Sequence, residues 1–456
     1  MTALHRACLD GRAEVVSSLL KAGPKLDLKN NKYGTPLHCG VISGSVEIVR
    51  SLIEAGAPLN TIDKMGNTAV IALLEQGHKG IVQVLLEKGA NVNTQRDDFG
   101  NILCAASSGG HKEIVKMLLD TGTDINVQGR YCNALQAASS EGYKEIVQML
   151  LEKGININLQ GSDFGNALYL ASSKGYKEIV QMLLEGVANI NAQGTLYRNA
   201  LQAASSKGHK EIVQMLLEKG FNINLQGGDF GNALYLASSE GYKEIVQMLL
   251  EGVANINAQG TLYRNALWVA SIKGYKEIVQ MLLEKGININ LQGGDFSNAL
   301  YLASSEGYKE IVQMLLEGGA DVNAQGRYCN ALQVASSKGY KEIVQMLLDT
   351  GTDINAQGRY CNALQAASSE GHKEIVQMLL EGGADVNVQG TLYSNALQVA
   401  SIKGYKEIVQ MLLEKGVNFN ARDRFIISVW AASSRAHEEI VQMLLDGGAD
   451  IDGWCD

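Results

Sequence analysis

One pattern of residues recurs fourteen times along this 456-residue chain, at intervals of 32 or 33 residues. Equivalent segments begin near residues 2, 35, 68, 101, 133, 166, 199, 232, 265, 298, 330, 362, 395 and 427. Self-similarity at such a period predicts a solenoid, in which each repeat contacts the repeats before and after it. No break in composition interrupts the pattern, so we expect a single array over residues 1–456.

The repeat that begins at Asn133 shows the local logic. Asparagine is a good N-cap, so a first short helix is predicted over residues 134–140, and Gly142 can end it in a left-handed conformation. A second helix is predicted over residues 144–152, with Gly154 as its stop.

An apolar stripe predicts how these helices are stabilised. Ile146, Val147, Leu150 and Leu151 fall on one side of the second helix. Helices this short are marginal alone, so the stripe must be buried against neighbouring repeats. The alternating residues 155–158 predict an extended arm that leads to a hairpin turn at Gly161. The fold class is therefore an all-α repeat solenoid of helix–turn–helix units joined by hairpin loops.

The charge and the cysteines narrow the function classes. A net charge of −9 argues against a nucleic-acid binder, which would carry a basic face. The seven cysteines are odd in number and form no C-x-x-C pair, so we expect free thiols, no metal site and a reducing compartment. The start of the sequence lacks the pattern of a signal peptide, and its apolar runs are too short to span a bilayer. We expect a cytoplasmic or nuclear protein without membrane contact.

Motifs for catalysis are missing from the sequence. It contains no Walker A motif, no H-E-x-x-H and no G-x-S-x-G. The glycine-rich segment 227–231 recurs at the same phase as residues 161–165, so a hairpin turn explains it better than a phosphate loop. The seven histidines do not cluster, and tyrosine replaces several of them, which favours a packing role. We expect no enzyme activity, no cofactor and no bound metal.

The repeat resembles the ankyrin family. Thr35-Pro36-Leu37-His38 matches the ankyrin opening, and residues 145–154 and 319–323 match its second helix and hairpin arm. The resemblance covers the whole chain and implies stacked ankyrin repeats that bind a protein or peptide through hairpin tips and a concave face of first helices. The middle repeats, N-A-L-Q-A-A-S-S-x-G-Y-K-E-I-V, are similar to fungal ankyrin arrays found C-terminal to NACHT-type NTPases.

The position of the motif histidine departs from the family pattern. Here it is glutamine in five repeats, tyrosine in three and tryptophan in two. In ankyrins this histidine ties down a hairpin by hydrogen bonding. Glutamine can do the same, whereas tyrosine and tryptophan make other contacts, so the hairpin register is expected to vary.

An aromatic residue stands near the hairpin turn in most repeats. Its two interpretations are partner contact and stacking of each ring on the next hairpin. The series is Phe99, Tyr131, Phe164, Tyr197, Phe230, Tyr263, Phe296, Tyr328, Tyr360, Tyr393 and Phe425.

A binding hot spot is predicted around Trp268 and Ile272. Residues 166–231 and 232–297 differ at only seven positions, and two of the changes are Gln202 to Trp268 and Ser206 to Ile272. Four residues apart, they share one helix face, beside Lys273. Tyr235 and Tyr301 occupy the Trp268 position in the adjacent repeats and could extend the patch. The alternative is that Trp268 fills a gap between helices, with Val269 as part of the same repacking.

The function that these features favour is a monomeric protein-interaction scaffold. Its main alternative is the C-terminal sensor arm of a larger fungal NACHT-type NTPase, which the abrupt start at Thr2 favours. A spacer that binds nothing is a third interpretation. A separate expectation concerns Val187 and Val253, which stand where most repeats place the glycine that ends the second helix, so the backbone there should be irregular.

Overall fold

The computed structural model describes every residue except 73–76, 95–99, 130–132, 160–164, 190, 193–198, 227–230, 261–263, 294–296, 327, 391–394, 419–427 and 450–456. Its chain divides into two compact units, Met1–Gly228 and Asp229–Asp456. Each unit is a succession of helix pairs.

The described residues of the first unit form fourteen helices: α1 (Ala3–Leu9), α2 (Ala13–Lys21), α3 (Pro36–Ile42), α4 (Val46–Glu54), α5 (Ala69–Ala72), α6 (Lys79–Glu87), α7 (Ile102–Ser108), α8 (Lys112–Asp120), α9 (Ala134–Glu141), α10 (Lys144–Glu152), α11 (Ala167–Lys174), α12 (Lys177–Glu185), α13 (Ala200–Lys207) and α14 (Lys210–Glu218).

Those of the second unit form fourteen more: α15 (Ala233–Glu240), α16 (Lys243–Glu251), α17 (Ala266–Lys273), α18 (Lys276–Glu284), α19 (Ala299–Glu306), α20 (Lys309–Glu317), α21 (Ala331–Lys338), α22 (Lys341–Asp349), α23 (Ala363–Glu370), α24 (Lys373–Glu381), α25 (Ala396–Lys403), α26 (Lys406–Glu414), α27 (Ser428–Ser433) and α28 (Glu438–Asp446).

Within each unit, the odd-numbered helices, here called first helices, pack on the first helices of neighbouring pairs, and the even-numbered second helices pack on second helices. The predicted repeat solenoid is thereby confirmed. Nothing in the described part of the chain forms a strand, although isolated β-bridges join Asn30 to Gly34 and Ile62 to Thr68. No described helix has the length and apolar character to cross a membrane.

The helix bounds follow from capping at both ends. Asn133 Oδ1 accepts from the N–H of Gln136 at 2.9 Å, and Gln136 Oε1 accepts from the N–H of Asn133 at 2.8 Å. This reciprocal capping satisfies two backbone donors that the helix itself leaves open. At the other end Gly142 takes a φ of 85°, as predicted, and α9 ends at Glu141, one residue beyond the predicted end.

The apolar stripe is the core of each repeat. Ile146, Val147 and Leu150 are buried on α10, and each such side chain contributes about 1.5–3 kcal/mol. Between repeats, the ring of Tyr176 packs on Gly142, where an added Cβ would lie 2.7 Å from the ring. His209 packs in the same way on the equivalent glycine, which agrees with the packing interpretation of the tyrosine–histidine exchange.

The predicted extended arm is wrong over residues 157–158, which form a turn; the expected turn residue, Gly161, lies outside the described residues. Asn158 donates its N–H to Asn156 Oδ1 at 3.1 Å, which holds this turn. Ile155 and Ile157 are both buried, so the alternation of apolar and polar residues is real although no strand produces it.

A ladder of side-chain hydrogen bonds joins these turns from repeat to repeat. The N–H of Asn156 donates to Asn126 Oδ1 at 2.8 Å in the first unit, and that of Asn288 to Asn257 Oδ1 at 2.7 Å in the second. The same bond, from the later to the earlier residue, joins Asn91 to Asn60, Asp124 to Asn93, Asn189 to Asn158, Asn222 to Asn191, Asp321 to Asn290, Asp353 to Asn323, Asp385 to Asn355 and Asn418 to Asn387.

A serine hydroxyl is buried on the first helix of ten repeats. Each Oγ is inaccessible to solvent and has no hydrogen-bond partner in the described structure: Ser107, Ser139, Ser172, Ser205, Ser238, Ser271, Ser304, Ser336, Ser368 and Ser401. The same position holds Cys8 in the first repeat and Val41 in the second, both fully buried. An apolar side chain is therefore compatible with it.

The prediction of irregular backbone at Val187 and Val253 is confirmed. Their φ angles are 64° and 63°, whereas Gly186, one residue earlier, keeps a φ of −79°. Elsewhere glycine takes this left-handed position, as Gly319 does with a φ of 87°. The early glycine does not absorb the turn, so a β-branched residue occupies a conformation that suits glycine.

Candidate functional site

In several repeats the third residue of the first helix bonds to the loop that follows the second helix, as His5, Gln136 and Gln333 do. His5 Nε2 lies 3.0 Å from the carbonyl oxygen of Leu28 and 3.1 Å from that of Gly34. Gln136 makes the equivalent contact, because its Nε2 donates to the carbonyl oxygen of Gly165 at 2.7 Å. The prediction that glutamine can replace the motif histidine is confirmed.

Trp268 makes a different contact at this position. Its indole Nε1 donates to Ser297 Oγ at 3.2 Å, and the ring lies so close to Gly293 that an added Cβ there would be 2.8 Å from Nε1. The near-identical block 166–231, here called the sister block, has Gln202 and Gly231 at the positions of Trp268 and Ser297. Two of the seven differences between the blocks therefore contact each other, and the tryptophan came with its own hydrogen-bond acceptor.

A cation covers the indole. The guanidinium carbon of Arg264 lies 4.6 Å from the centre of the Trp268 ring, within the range of a cation–π interaction. Arg264 directly precedes Asn265, the N-cap of α17, and Trp268 is the third residue of that helix. The start of α17 therefore fixes the backbone of Arg264 and Trp268.

These side chains border a groove of about 490 Å³ in the second unit. It is lined by Arg264, Trp268, Ile272, Ser297, Tyr301, Leu302, Gly326 and Tyr328. Trp268, Ile272 and Tyr301 are half-buried, so each offers part of its surface to the groove while the rest packs on the protein.

The structure brings together three of the predicted site residues, Trp268, Ile272 and Tyr301. Lys273, which is exposed, and Tyr235, which is half-buried, do not line the groove. The other four predicted residues lie outside the described part of the chain: Tyr197, Phe230, Tyr263 and Phe296.

Of the hairpin aromatics, Tyr328 and Tyr360 are described. Their rings stack with centroids 5.7 Å apart and an angle of 13° between planes, and Arg359 lies 5.7 and 5.5 Å from the two ring centres. Ring-on-ring stacking is thus found for this pair, yet Tyr328 is still 41% exposed and also lines the groove. Stacking is therefore observed for this pair, and contact with a partner stays a prediction.

The inner wall of the groove is uncharged at neutral pH. Burial raises the pKa of Tyr301 to about 12, and the neighbouring Cys329, whose Sγ is 3.9 Å from the hydroxyl, adds to the effect. Burial, followed by the proximity of Cys329, raises the pKa of Cys361 to about 11. Among the described residues that line the groove, Arg264 is the one that carries a charge at neutral pH.

Sequence reasoning missed Arg264, Ser297 and Arg359. The available signal was an arginine beside the hairpin aromatic in Tyr263-Arg264 and Arg359-Tyr360. Within the described residues, no three histidine, cysteine or acidic side chains cluster as metal ligands would.

A family model described as ankyrin repeats (3 copies) matches eight overlapping segments: residues 4–96, 93–161, 135–227, 168–260, 225–293, 292–358, 334–423 and 363–453. Together these segments span residues 4–453. The chain belongs to the ankyrin repeat family. Comparison with curated proteins gave no match. Ankyrin repeats are in general non-enzymatic modules for protein–protein interaction, and in this ankyrin chain the groove beside Trp268 is a candidate surface for a partner.

Proposed function

We propose that this ankyrin array is a protein-interaction scaffold and that the groove around Trp268 is a principal contact surface. The observation that carries the proposal is an indole that is half-buried, held from one side by Ser297 and covered by Arg264, with Ile272 beside it. Tryptophan and arginine in such settings are enriched among the residues that dominate binding. A rigid, preformed surface also lowers the ordering cost of association.

The gap-filling interpretation explains one part of this arrangement. The bond from Trp268 to Ser297 fixes the hairpin, as the motif histidine does elsewhere. It gives no reason for Ile272, which replaces a serine and contributes an apolar wall to an open groove. The bond to Ser297 also holds the Trp268 side chain in one position, which favours binding of a partner. Fixing the hairpin and binding a partner are therefore compatible roles for Trp268.

In this proposal the array acts as a monomer in the cytoplasm or nucleus and binds a protein or peptide. The repeat sequence N-A-L-Q-A-A-S-S keeps a second hypothesis open, in which the array is the sensor arm of a larger NACHT-type NTPase of fungal origin. Sequencing the transcript upstream of the Met1 codon tests that hypothesis.

The test of the scaffold proposal uses the sister block as its template. The variant Trp268→Gln/Ile272→Ser/Ser297→Gly restores residues that the chain itself uses in its sister block. Helicity and the melting temperature should change little, because Gln202 is buried and reciprocally capped with Asn199 in the sister repeat. Proteins captured from a cell extract by the wild type should bind the variant at least roughly 30-fold more weakly.

Two outcomes would count against the scaffold proposal. Equal capture by wild type and variant would remove the groove from the binding surface. A large fall in melting temperature with unchanged affinity would show that Trp268 and Ile272 are packing residues only.

A further inference from the structure

We propose that the groove accepts an extended peptide segment in which an acidic side chain neighbours an aliphatic or aromatic one. This inference rests on the proposed function, because it names the partner chemistry of the same groove. It is argued from the charge, the hydrogen-bonding groups and the shape of the described residues.

The charged residue described in the groove lining has the opposite sign to the net charge of the chain. Arg264 lines the groove, and none of the described lining residues is acidic. A second described arginine, Arg359, lies over the ring of Tyr328, 5.7 Å from its centre, where Tyr328 lines the groove. In a protein of net charge −9, this local excess of positive charge favours an acidic ligand.

Arg264 supplies the chemistry to bind a carboxylate at the groove. Its guanidinium lies over the indole of Trp268, with the guanidinium carbon 4.6 Å from the ring centre. A stacked guanidinium keeps its N–H donors at the edge of the plane, where they can meet a carboxylate in a bidentate pair. Since stacking already restricts the side chain, less conformational freedom is lost on binding.

Ser297 offers a second donor. Its Oγ accepts from Trp268 Nε1, so its own hydroxyl hydrogen can point toward a ligand oxygen. The side chain is 6% exposed and belongs to the groove wall. A buried hydroxyl and a guanidinium that line the same groove favour an acceptor such as a carboxylate.

The remaining wall is apolar. Ile272, Leu302 and Tyr301 contribute aliphatic and aromatic surface, and the raised pKa of Tyr301 keeps its hydroxyl neutral. A volume of about 490 Å³ lies within the range of roughly 300–1,000 Å³ found for ligand sites, which suits a few side chains and not a folded domain.

The surface continues beyond the groove in one direction. Tyr328 belongs both to the groove and to the stack with Tyr360 under Arg359. Aromatic and cationic groups therefore follow the hairpins past the groove, which favours an extended segment over a compact ligand.

The experiment measures fluorescence anisotropy of labelled peptides with the full chain. One series carries aspartate next to leucine or phenylalanine, a second replaces the aspartate by asparagine, and a third replaces it by lysine. A labelled single-stranded oligothymidine tests the other ligand that arginine and aromatic rings could stack on. We expect binding of the first series, with a roughly 10-fold loss for asparagine and a larger loss for lysine.

Matched variants assign the effect to Arg264. Arg264→Gln should weaken the aspartate series roughly 10-fold and leave the asparagine series unchanged. Arg198→Gln makes the same change at the equivalent position of the sister block and should have no effect. Should Arg264→Gln unfold the repeat, Arg264→Lys keeps the charge without the flat stacked donor and should give a smaller loss.

The inference is overturned if asparagine peptides bind as tightly as aspartate peptides, if Arg264→Gln has no effect, if no peptide binds, or if the oligonucleotide binds more tightly. Protein capture that still depends on Trp268, Ile272 and Ser297 would then leave the scaffold function standing. If neither peptide binding nor protein capture depends on the groove residues, both the peptide proposal and the scaffold proposal are overturned.

Discussion

Replacing Val187 with glycine tests whether the array carries backbone strain. Val187 has a φ of 64° and its side chain is 80% exposed, so it holds an unfavourable conformation and buries little apolar surface. The left-handed region costs an L-residue roughly 1–2 kcal/mol, and a β-branched side chain belongs at the upper end. Glycine offsets roughly 0.5–1 kcal/mol of that gain through the greater freedom of the unfolded chain. We therefore expect Val187→Gly to raise the free energy of unfolding by about 1 kcal/mol.

The measurement has a global and a local readout. Urea unfolding of the full chain, followed by far-ultraviolet circular dichroism, should show a higher midpoint at unchanged slope. Hydrogen exchange reports the local effect, because the N–H of Ala188 bonds to the carbonyl oxygen of Leu183 at 3.1 Å directly beside the strained residue. Its exchange should slow by roughly fivefold for 1 kcal/mol.

A matched control is available in the same unit. Val15 lies within α2 and is 49% exposed, so Val15→Gly makes the same chemical change in ordinary helical backbone. It should destabilise the protein by about 0.5 kcal/mol or more. If Val187→Gly is neutral or destabilising like this control, the left-handed backbone at Val187 is not strained and the reasoning fails.

Further predictions concern buried polar groups, thiols and metals. Ser139→Ala should be neutral or stabilising by up to about 1–2 kcal/mol in urea unfolding, because the buried hydroxyl has no partner; clear destabilisation would reveal a hydrogen bond. Gln136→Ala should lower stability by about 2 kcal/mol while Gln136→His costs less, since His5 makes the same hairpin contact; equal losses would contradict this role. Cys361, with its pKa raised to about 11, should react slowly with iodoacetamide at neutral pH and about tenfold faster per pH unit below 11, because only the thiolate reacts; a plateau near pH 9 would refute the shift. A strong chelator should leave the helical circular dichroism signal unchanged, and a loss of helix would contradict the expectation that no metal is bound.

The sequence predicted most of each repeat because capping and apolar periodicity are local signals. Asn133 and Gly142 mark the ends of α9, and the apolar stripe gives the extent of α10. The arm at residues 155–158 was misjudged because burial of Ile155 and Ile157 produces the same period of two as a strand. What decides between them is the side-chain bond from the N–H of Asn158 to Asn156 Oδ1, which periodicity does not reveal.

The candidate site was predicted only in part, and the reason is its dependence on contacts between repeats. Trp268 and Ile272 stood out because a sister block offers a direct comparison within the same chain. Arg264 and Ser297 could not be assigned in that way, since their roles arise from the distances to the indole of Trp268. Ser297 differed from its sister residue as well, but the difference acquires meaning only once the two side chains are seen in contact.

The hydrogen-bond ladder along the hairpin turns has a direction, because each link takes its N–H from the later repeat and its Oδ1 from the earlier one. A copied block of two repeats therefore has an N–H donor in its first turn and a side-chain Oδ1 acceptor in its last turn. When such a block is inserted between two repeats, its N–H donor can pair with the repeat before it and its Oδ1 acceptor with the repeat after it, so no new kind of interface is needed. Gene duplication can thus lengthen the chain freely, and the near-identical blocks 166–231 and 232–297 have the form that this process leaves. The two copies can then diverge, as the joint difference at Trp268 and Ser297 shows.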